Sequence, residues 1–361
     1  MVSNLRIARN LDNCCDRQSN RFPTIHPDAD MKPSLTNKLL DRLVLPGALG
    51  FTRLGFHLRQ RSWTPITNSL AGKTVVITGA TSGLGLAAAH RLARLNARII
   101  LVGRNARKTR RVQQEISRAT GNQGIDIQIA DLSLLADVRA LADRLLETEP
   151  RVDVLINNAA VLPSERQITS EGLEQTFATN LLAPFALTRW LLPLLRQSSP
   201  ARIVNVVSGG MYLSGIDTGN LQNEKGEFDG ARAYARAKRG LMILTEQWAD
   251  ELENSAITVN AMHPGWAATP GVKESLPAFY RVTRPMLRNA EQGADTMVWL
   301  AAAPEPENHS GLLWFDREPH LTSLFPNTRG SERERAILRH RLTEMVASLD
   351  HQQPNPKSRA A

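Results

Sequence analysis

The sequence predicts an α/β fold, a doubly wound parallel sheet with helices on both faces, preceded by an amphipathic N-terminal extension. Three observations lead there. From Thr74 onward short apolar runs alternate with amphipathic stretches of ten or more residues. The runs are rich in Val and Ile and lack polar alternation, and the first ends in a glycine-rich turn that opens a helix. Strands joined by long helical crossovers pair in parallel through right-handed connections. Strands buried on both faces read as unbroken apolar runs.

Taken in order, strands are expected at 74–79, 97–103, 125–131, 152–158, 202–208 and 256–265. Helices are expected over 84–95, 105–119, 134–147, 171–197 and 231–252. A last strand near 311–316 is expected to close the sheet edge, and 331–349 to form a terminal helix. Around this α/β domain (71–320) lie a tail without apolar periodicity (1–34), an amphipathic extension (35–70) and a C-terminal helix and tail (321–361). Met31 directly precedes the first amphipathic element and is a candidate start of translation.

Lys and Arg total 44 against 35 Asp and Glu, a net charge of +9 over 361 residues. Ten basic and five acidic residues fall within 1–72, so the excess belongs largely to the N-terminal region. No zinc-ligand set, RNA-binding signature or basic recognition stripe accompanies it, which argues against a nucleic-acid partner. The two cysteines, Cys14 and Cys15, are adjacent and cannot staple a fold, so a reducing, cytoplasmic setting is expected. The uncharged run Leu43–Thr52 carries Pro46 and is far shorter than the ~20 residues a membrane span requires.

Residues 35–63 interleave leucines with Lys38, Arg42, Arg53, Arg59 and Arg61 against the single acid Asp41. As a helix, Leu35, Leu39 and Leu43 line one side. That pattern suits peripheral contact with the anionic inner face of a membrane. It equally suits packing across the protein's own domain or a dimer partner, and both readings stand.

Thr78-Gly79-Ala80-Thr81-Ser82-Gly83-Leu84-Gly85 follows the first strand and opens a helix. Glycines 79, 83 and 85 permit a tight turn and let backbone N–H groups approach a pyrophosphate at the helix N-terminus. This is the phosphate loop of a Rossmann-type dinucleotide fold. Strand two ends Val102-Gly103-Arg104-Asn105 with no carboxylate to accept from a ribose 2′-hydroxyl. Arg104 offers a guanidinium to a 2′-phosphate instead, so NADP(H) is expected in preference to NAD(H). Arg110 and Arg111 read as a solvated helix face.

The ordered set TGATSGLG (78–85), Asp131-Leu132, Asn157-Asn158-Ala159, Asn180, Ser208, Tyr234-x-x-x-Lys238 and Pro264-Gly265 resembles the short-chain dehydrogenase/reductases of compact, single-domain type. Within that family, VVSGGM (206–211), LQNEKGEFDG (221–230) and MHPGWAATPG (262–271) look like the dehydrogenase/reductase family member 12 group, with retinol-dehydrogenase-like reductases next. The resemblance implies cofactor contacts from Gly79, Thr81, Ser82, Gly83, Leu84, Gly85, Arg104, Asp131, Leu132, Asn158, Tyr234, Lys238, Pro264, Gly265 and Thr269. It implies no metal. Pro264, Gly265 and Thr269 would meet the nicotinamide carboxamide, and Asp131 would lie near the adenine, although a carboxylate there also suits a helix cap. Asn157 reads as half structural, and His263 as a packed loop residue.

The catalytic set implied is Asn180, Ser208, Tyr234 and Lys238. Tyr234 and Lys238 are four apart on a helix and share a face. An ammonium about 4 Å from the phenol is worth roughly 4 kcal/mol at an effective dielectric of 20, about three pKa units, which would poise Tyr234 as general acid/base. Ser208 would hydrogen-bond the substrate oxygen. By resemblance, Lys238 would hold the nicotinamide ribose and Asn180 would anchor a relay water.

The expected reaction is hydride transfer between nicotinamide and a carbonyl/secondary alcohol of a hydrophobic small molecule, with Met211, Tyr212, Leu213, Trp266, Leu276 and Phe279 as apolar lining. The alternatives are an inactive NADP(H)-binding regulatory protein and a membrane-associated lipid-binding module. Homo-oligomer and monomer both remain open. Two features depart from the family pattern. Ala160 replaces the glycine of NNAG, and the interval of 26 residues from Ser208 to Tyr234 is about twice the usual length. That insertion, 209–233, is expected to cover the substrate side of the cleft.

Overall fold

The computed structural model describes residues 48–350 apart from 269 and 276. Thr269, Leu276, the side chain of Phe279, the tail with Cys14, Cys15 and Met31, and the first part of the amphipathic extension (35–47) lie outside the described residues.

Eight strands form one sheet: β1 (Thr74–Thr78), β2 (Arg98–Gly103), β3 (Ile125–Ile129), β4 (Val154–Asn157), β5 (Ala201–Val206), β6 (Ile257–Met262), β7 (Leu313–Phe315) and β8 (Glu318–His320). Their spatial order is β3-β2-β1-β4-β5-β6-β7-β8. All neighbours are parallel except the antiparallel β7–β8 pair. The order reverses between β1 and β4, where Ile77 pairs Leu101 on one side and Ile156 on the other. The crevice beyond the carboxyl ends of the strands at such a reversal is where doubly wound folds bind ligands.

Every residue of β1 is buried, because helices cover both faces. Alternate side chains serve opposite cores. Val76 joins the core under α4 (Leu135–Thr148), α5 (Ala183–Arg196) and α6 (Gly230–Glu251), whereas Val75 and Ile77 join the core under α2 (Gly83–Arg94) and α3 (Ala106–Thr120). The second core is closed by α9 (Ala290–Ala302) through Val298 and Trp299, the first by α10 (Glu332–Asp350) through Leu338, Leu342 and Val346. The expected terminal helix is thus part of the domain core.

Two expectations need correction. The helix expected over 171–197 begins later: Glu174 accepts from Thr176 N–H and Phe177 N–H, capping one turn at Gln175–Phe177. A π-turn at Ala178–Leu182 then leads into α5. The strand near 311–316 does not close the edge, because the chain reverses through Asp316 (φ 52°) and Arg317 (φ 61°) into β8. Such two-residue hairpins normally announce themselves by Asn-Gly or Asp-Gly. Here the left-handed turn is held by ion pairs, described below, rather than by glycine.

Candidate active site

At the end of β1, Gly79 (φ +66°) and Gly83 (φ +55°) adopt left-handed backbone. A Cβ on Gly79 would lie 2.8 Å from Ala159 Cα, and one on Gly85 only 2.5 Å from the Gly79 carbonyl oxygen. The loop is therefore closed against its own backbone, and only glycine fits. Asn158 fastens it from below: its Nδ2 donates to Thr78 O at 2.8 Å and Gly79 O at 3.3 Å, while its N–H donates to Thr78 Oγ1. Ser82 makes no side-chain cap on α2. By contrast Asn105 caps α3 and Asp229 caps α6. A cradle of close-packed glycines at a helix start uncapped by a side chain fits a dinucleotide pyrophosphate.

Arg104 leaves the end of β2 exposed to solvent, and Arg110 and Arg111 are exposed on α3. A Cβ on Gly103 would lie 2.9 Å from Thr81 Cγ2, which sets this strand end beside the glycine loop. Asp131 Oδ1 accepts from the N–H and hydroxyl of Ser133, bracing the turn before α4. It does not cap the helix; Glu171 does, accepting from Leu135 N–H and Ala136 N–H. Leu132 is half-buried against the core. Asn157 is buried and donates to Thr188 Oγ1 and Asn205 Oδ1, a structural engagement. Ala160 is exposed and keeps a negative φ, so the extra methyl is accommodated.

Ser208, just past β5, accepts from Gly210 N–H and starts a short helix over Gly209–Leu213. Its hydroxyl lies near enough to the Tyr234 phenol of α6 to act on that group's pKa. One turn on, Lys238 is 1% exposed and donates from Nζ to Val206 O at 2.8 Å. Burial pushes the Tyr234 phenol up to about 12, with the Ser208 hydrogen bond acting in the opposite sense. Burial also lowers Lys238 to about 7. The expected lowering of Tyr234 by Lys238 is therefore absent in the protein alone. Nζ stands 5.7 Å from the ring centroid, and for both groups desolvation is the largest influence and outweighs any Coulomb attraction between them.

Asn180 occupies the π-turn, a helix irregularity common at functional sites. It is fully buried, with Oδ1 accepting from Val161 N–H and Nδ2 donating to Val161 O, both at 2.8 Å. The insertion is well anchored. Tyr212 Oη donates to Leu321 O, and Arg239 donates to Met211 O and Thr322 O. Arg166 donates to Gln222 O. Met211 and Tyr212 are thereby buried in the core, not free to form an open lining, whereas Leu213 is 82% exposed.

Beyond β6, His263-Pro264-Gly265-Trp266 forms the loop on the far side of the site. Gly265 (φ +72°) donates its N–H to His263 Nδ1, and its missing Cβ would lie 2.6 Å from Arg288 Nε. Burial lowers His263 to about 3, so it is neutral and no proton donor at ordinary pH. It stacks on Phe51 at 4.9 Å. Sequence reading missed Phe51, Arg288 and Asp316 here. The Asn289-x-x-Gln292 capping box marks the start of α9, but nothing local marks the guanidinium before it.

The fold and glycine cradle are those of a Rossmann-type dinucleotide-binding protein, with the Ser/Tyr/Lys cluster at the carboxyl end of the same sheet. The short chain dehydrogenase family model matches residues 73–278, and the chain belongs to the short-chain dehydrogenase/reductase family. It is 36% identical over 297 residues to dehydrogenase/reductase SDR family member 12 of Bos taurus, covering 81% of this chain and 93% of that one. It is 38% identical over 262 residues to retinol dehydrogenase 14 of Mus musculus, covering 68% and 78% respectively. A short chain dehydrogenase from Escherichia coli solved with NADPH superposes with a TM-score of 0.57 at 26% identity, over 70% of this chain and all of that one. Among the described residues no helix is long and apolar enough to cross a membrane, and no His/Cys/Asp/Glu group could hold a metal ion.

Proposed function

We propose that the protein is an NADP(H)-dependent reductase or dehydrogenase of a hydrophobic carbonyl/secondary alcohol, with Tyr234 as general acid/base. The observation that carries this reading is the convergence of Ser208, Tyr234 and Lys238 at the carboxyl end of β5, one strand from the glycine cradle's neighbour β4. When bound, the cofactor supplies the hydride. In reduction, Tyr234 Oη donates its proton to the carbonyl oxygen while Ser208 hydrogen-bonds the same oxygen as charge develops. Lys238 Nζ, lowered toward neutrality, holds or releases a proton in the working pH range and so resupplies Tyr234. Arg104, exposed at the end of β2, is the residue for a 2′-phosphate. Thr81, Ser82 and Leu84 would complete the pyrophosphate loop, and Pro264, Gly265 and Thr269 the nicotinamide end.

An apolar substrate is favoured by exposed Leu213 on the insertion and exposed Phe325 in the segment packed beside it. The relative named retinol dehydrogenase 14 points the same way. The test is NADPH oxidation across retinoid, steroid, quinone and lipid carbonyls. Turnover of at least one is expected; tight NADPH binding with no turnover across the panel would favour an inactive, regulatory protein.

A peripheral membrane contact through residues 35–63 rests on a separate observation. The helix α1 (Arg53–Gln60) buries Phe56 against its own domain, yet Leu54 and Leu58, one turn apart, are 61% and 56% exposed, beside exposed Arg53 and Arg61. Anionic vesicles are the matching surface. Salt-sensitive flotation that weakens on replacing Leu54 and Leu58 by Ser is expected; flotation unchanged by either salt or substitution overturns it.

A further inference from the structure

The family match covers 73–278, yet the loop at the far side of the site is braced by residues on both sides of that range. Arg288 is 1% exposed and grips Asp316 with both terminal nitrogens, Nη1 to Oδ1 at 2.5 Å and Nη2 to Oδ2 at 2.8 Å. The same guanidinium donates to the carbonyls of Gly50, Phe51 and Thr52. Its backbone meanwhile pairs with the 263–268 loop: Arg288 N–H donates to Trp266 O, and Ala268 N–H to Arg288 O, each at 2.8 Å. The ring of contacts closes because Trp266 N–H donates to Phe51 O at 3.0 Å and the Phe51 ring lies on His263.

Residues 50–64 thus form a strap, and it is fastened at further points. Arg59 pairs with Asp316 Oδ2 at 2.7 Å. Arg317, the second residue of the left-handed hairpin turn, donates to Thr64 O and stands over the Trp63 ring. The two hairpin-tip residues thus each hold the strap. This accounts for a strained turn without glycine, since several charge-assisted bonds over-determine it.

We infer that residues 50–52 form a built-in part of the nicotinamide end of the cofactor site, with Phe51 a positioning residue that orders the His263–Ala268 loop from outside the family domain. The inference rests on the cofactor reading above. A loop held from one side only would sample more conformations, and ordering it would then weaken binding of the ring it meets. The adenine and 2′-phosphate end, assigned above to Asp131 and Arg104 at the ends of β3 and β2, lies on the opposite side of β1 from β6 and serves as the internal control.

The experiment uses the full chain carrying Phe51→Ala, with Phe51→Leu as a milder second variant and Phe51→Tyr as the conservative one. Calorimetry measures NADPH and adenosine 2′,5′-bisphosphate, which carries the adenine end without nicotinamide, and melting temperature is followed in parallel. Loss of one aromatic stack predicts NADPH binding about three- to tenfold weaker in Phe51→Ala, with bisphosphate binding unchanged and Phe51→Tyr restoring affinity. Two outcomes overturn the inference: both ligands unaffected, or both weakened equally, which would make Phe51 a support of the fold alone. If the unmutated chain binds neither ligand, the cofactor reading itself fails and the inference falls with it.

Discussion

At the glycine-loop end of the cleft, Asn158 reaches back to Thr78, 80 residues along the chain, between the directly paired strands β4 and β1. At the Ser208–Tyr234 end, the loop after β6 depends on Arg288 touching Phe51, 237 residues away. The first end is specified by backbone conformation, since positive φ and the 2.5 Å approach at Gly85 exclude any side chain. The second is specified by buried charge, with one carboxylate, Asp316, shared between Arg288 and Arg59. Local backbone geometry can be written in a short motif, whereas a buried ion pair is a property of the assembled fold.

The largest effect expected from dividing the two ends belongs to Tyr234. Tyr234→Phe should lower kcat by 10²–10⁴-fold, the usual worth of a general acid/base, with NADPH affinity nearly unchanged. Stopped-flow turnover alongside cofactor titration checks this, and retention of more than about a tenth of the activity would assign the proton to another group. A smaller effect is expected at the opposite end. Arg104→Asp should erase or reverse a preference of roughly ten- to hundredfold for NADPH over NADH, leaving the rate at saturating cofactor unaffected. Equal binding of both cofactors by the parent would remove the motive for the change.

The smallest expected effect sharpens the comparison through pH. Lys238 sits at about 7 in the fold against 10.5 as its ordinary value, so between these limits the unfolded chain binds more protons than the folded one. Stability then rises with pH from about 7 to 10.5 through this residue. Tyr234 acts in the reverse sense above pH 10, because its folded value of about 12 keeps the native state protonated while the unfolded chain ionises. Urea unfolding of the parent and Lys238→Met at pH 7 and pH 9 should show the parent gaining stability relative to the variant. An identical pH dependence in the two proteins would place the lysine's proton elsewhere.

How far the sequence carried can be judged from particular residues. Gly79, Gly83 and Gly85 were legible because a strand, a glycine turn and a helix start form a local pattern, and the family match includes the same stretch. Tyr234 and Lys238 were legible as a pair one helical turn apart, but their protonation was not. Spacing alone suggested a charged lysine acting on the phenol, and only burial revealed that both groups are driven toward their neutral forms. Asn180 was legible as a position, not as the middle of a π-turn clamped to Val161.

By itself, the sequence determined the parallel α/β sheet, the places of its first six strands along the chain and the glycine-rich loop after the first. Unbroken apolar runs must be buried on both faces, and left-handed turns demand glycine wherever no other contact compensates. Tertiary structure alone decided the β7–β8 hairpin, the docking of Phe51 on His263 and the lowered pKa of Lys238. Each of these depends on which distant groups share a buried volume. Desolvation and ion pairing act through space, and their strength is set only when Asp316, Arg288 and the N-terminal strap have been brought together.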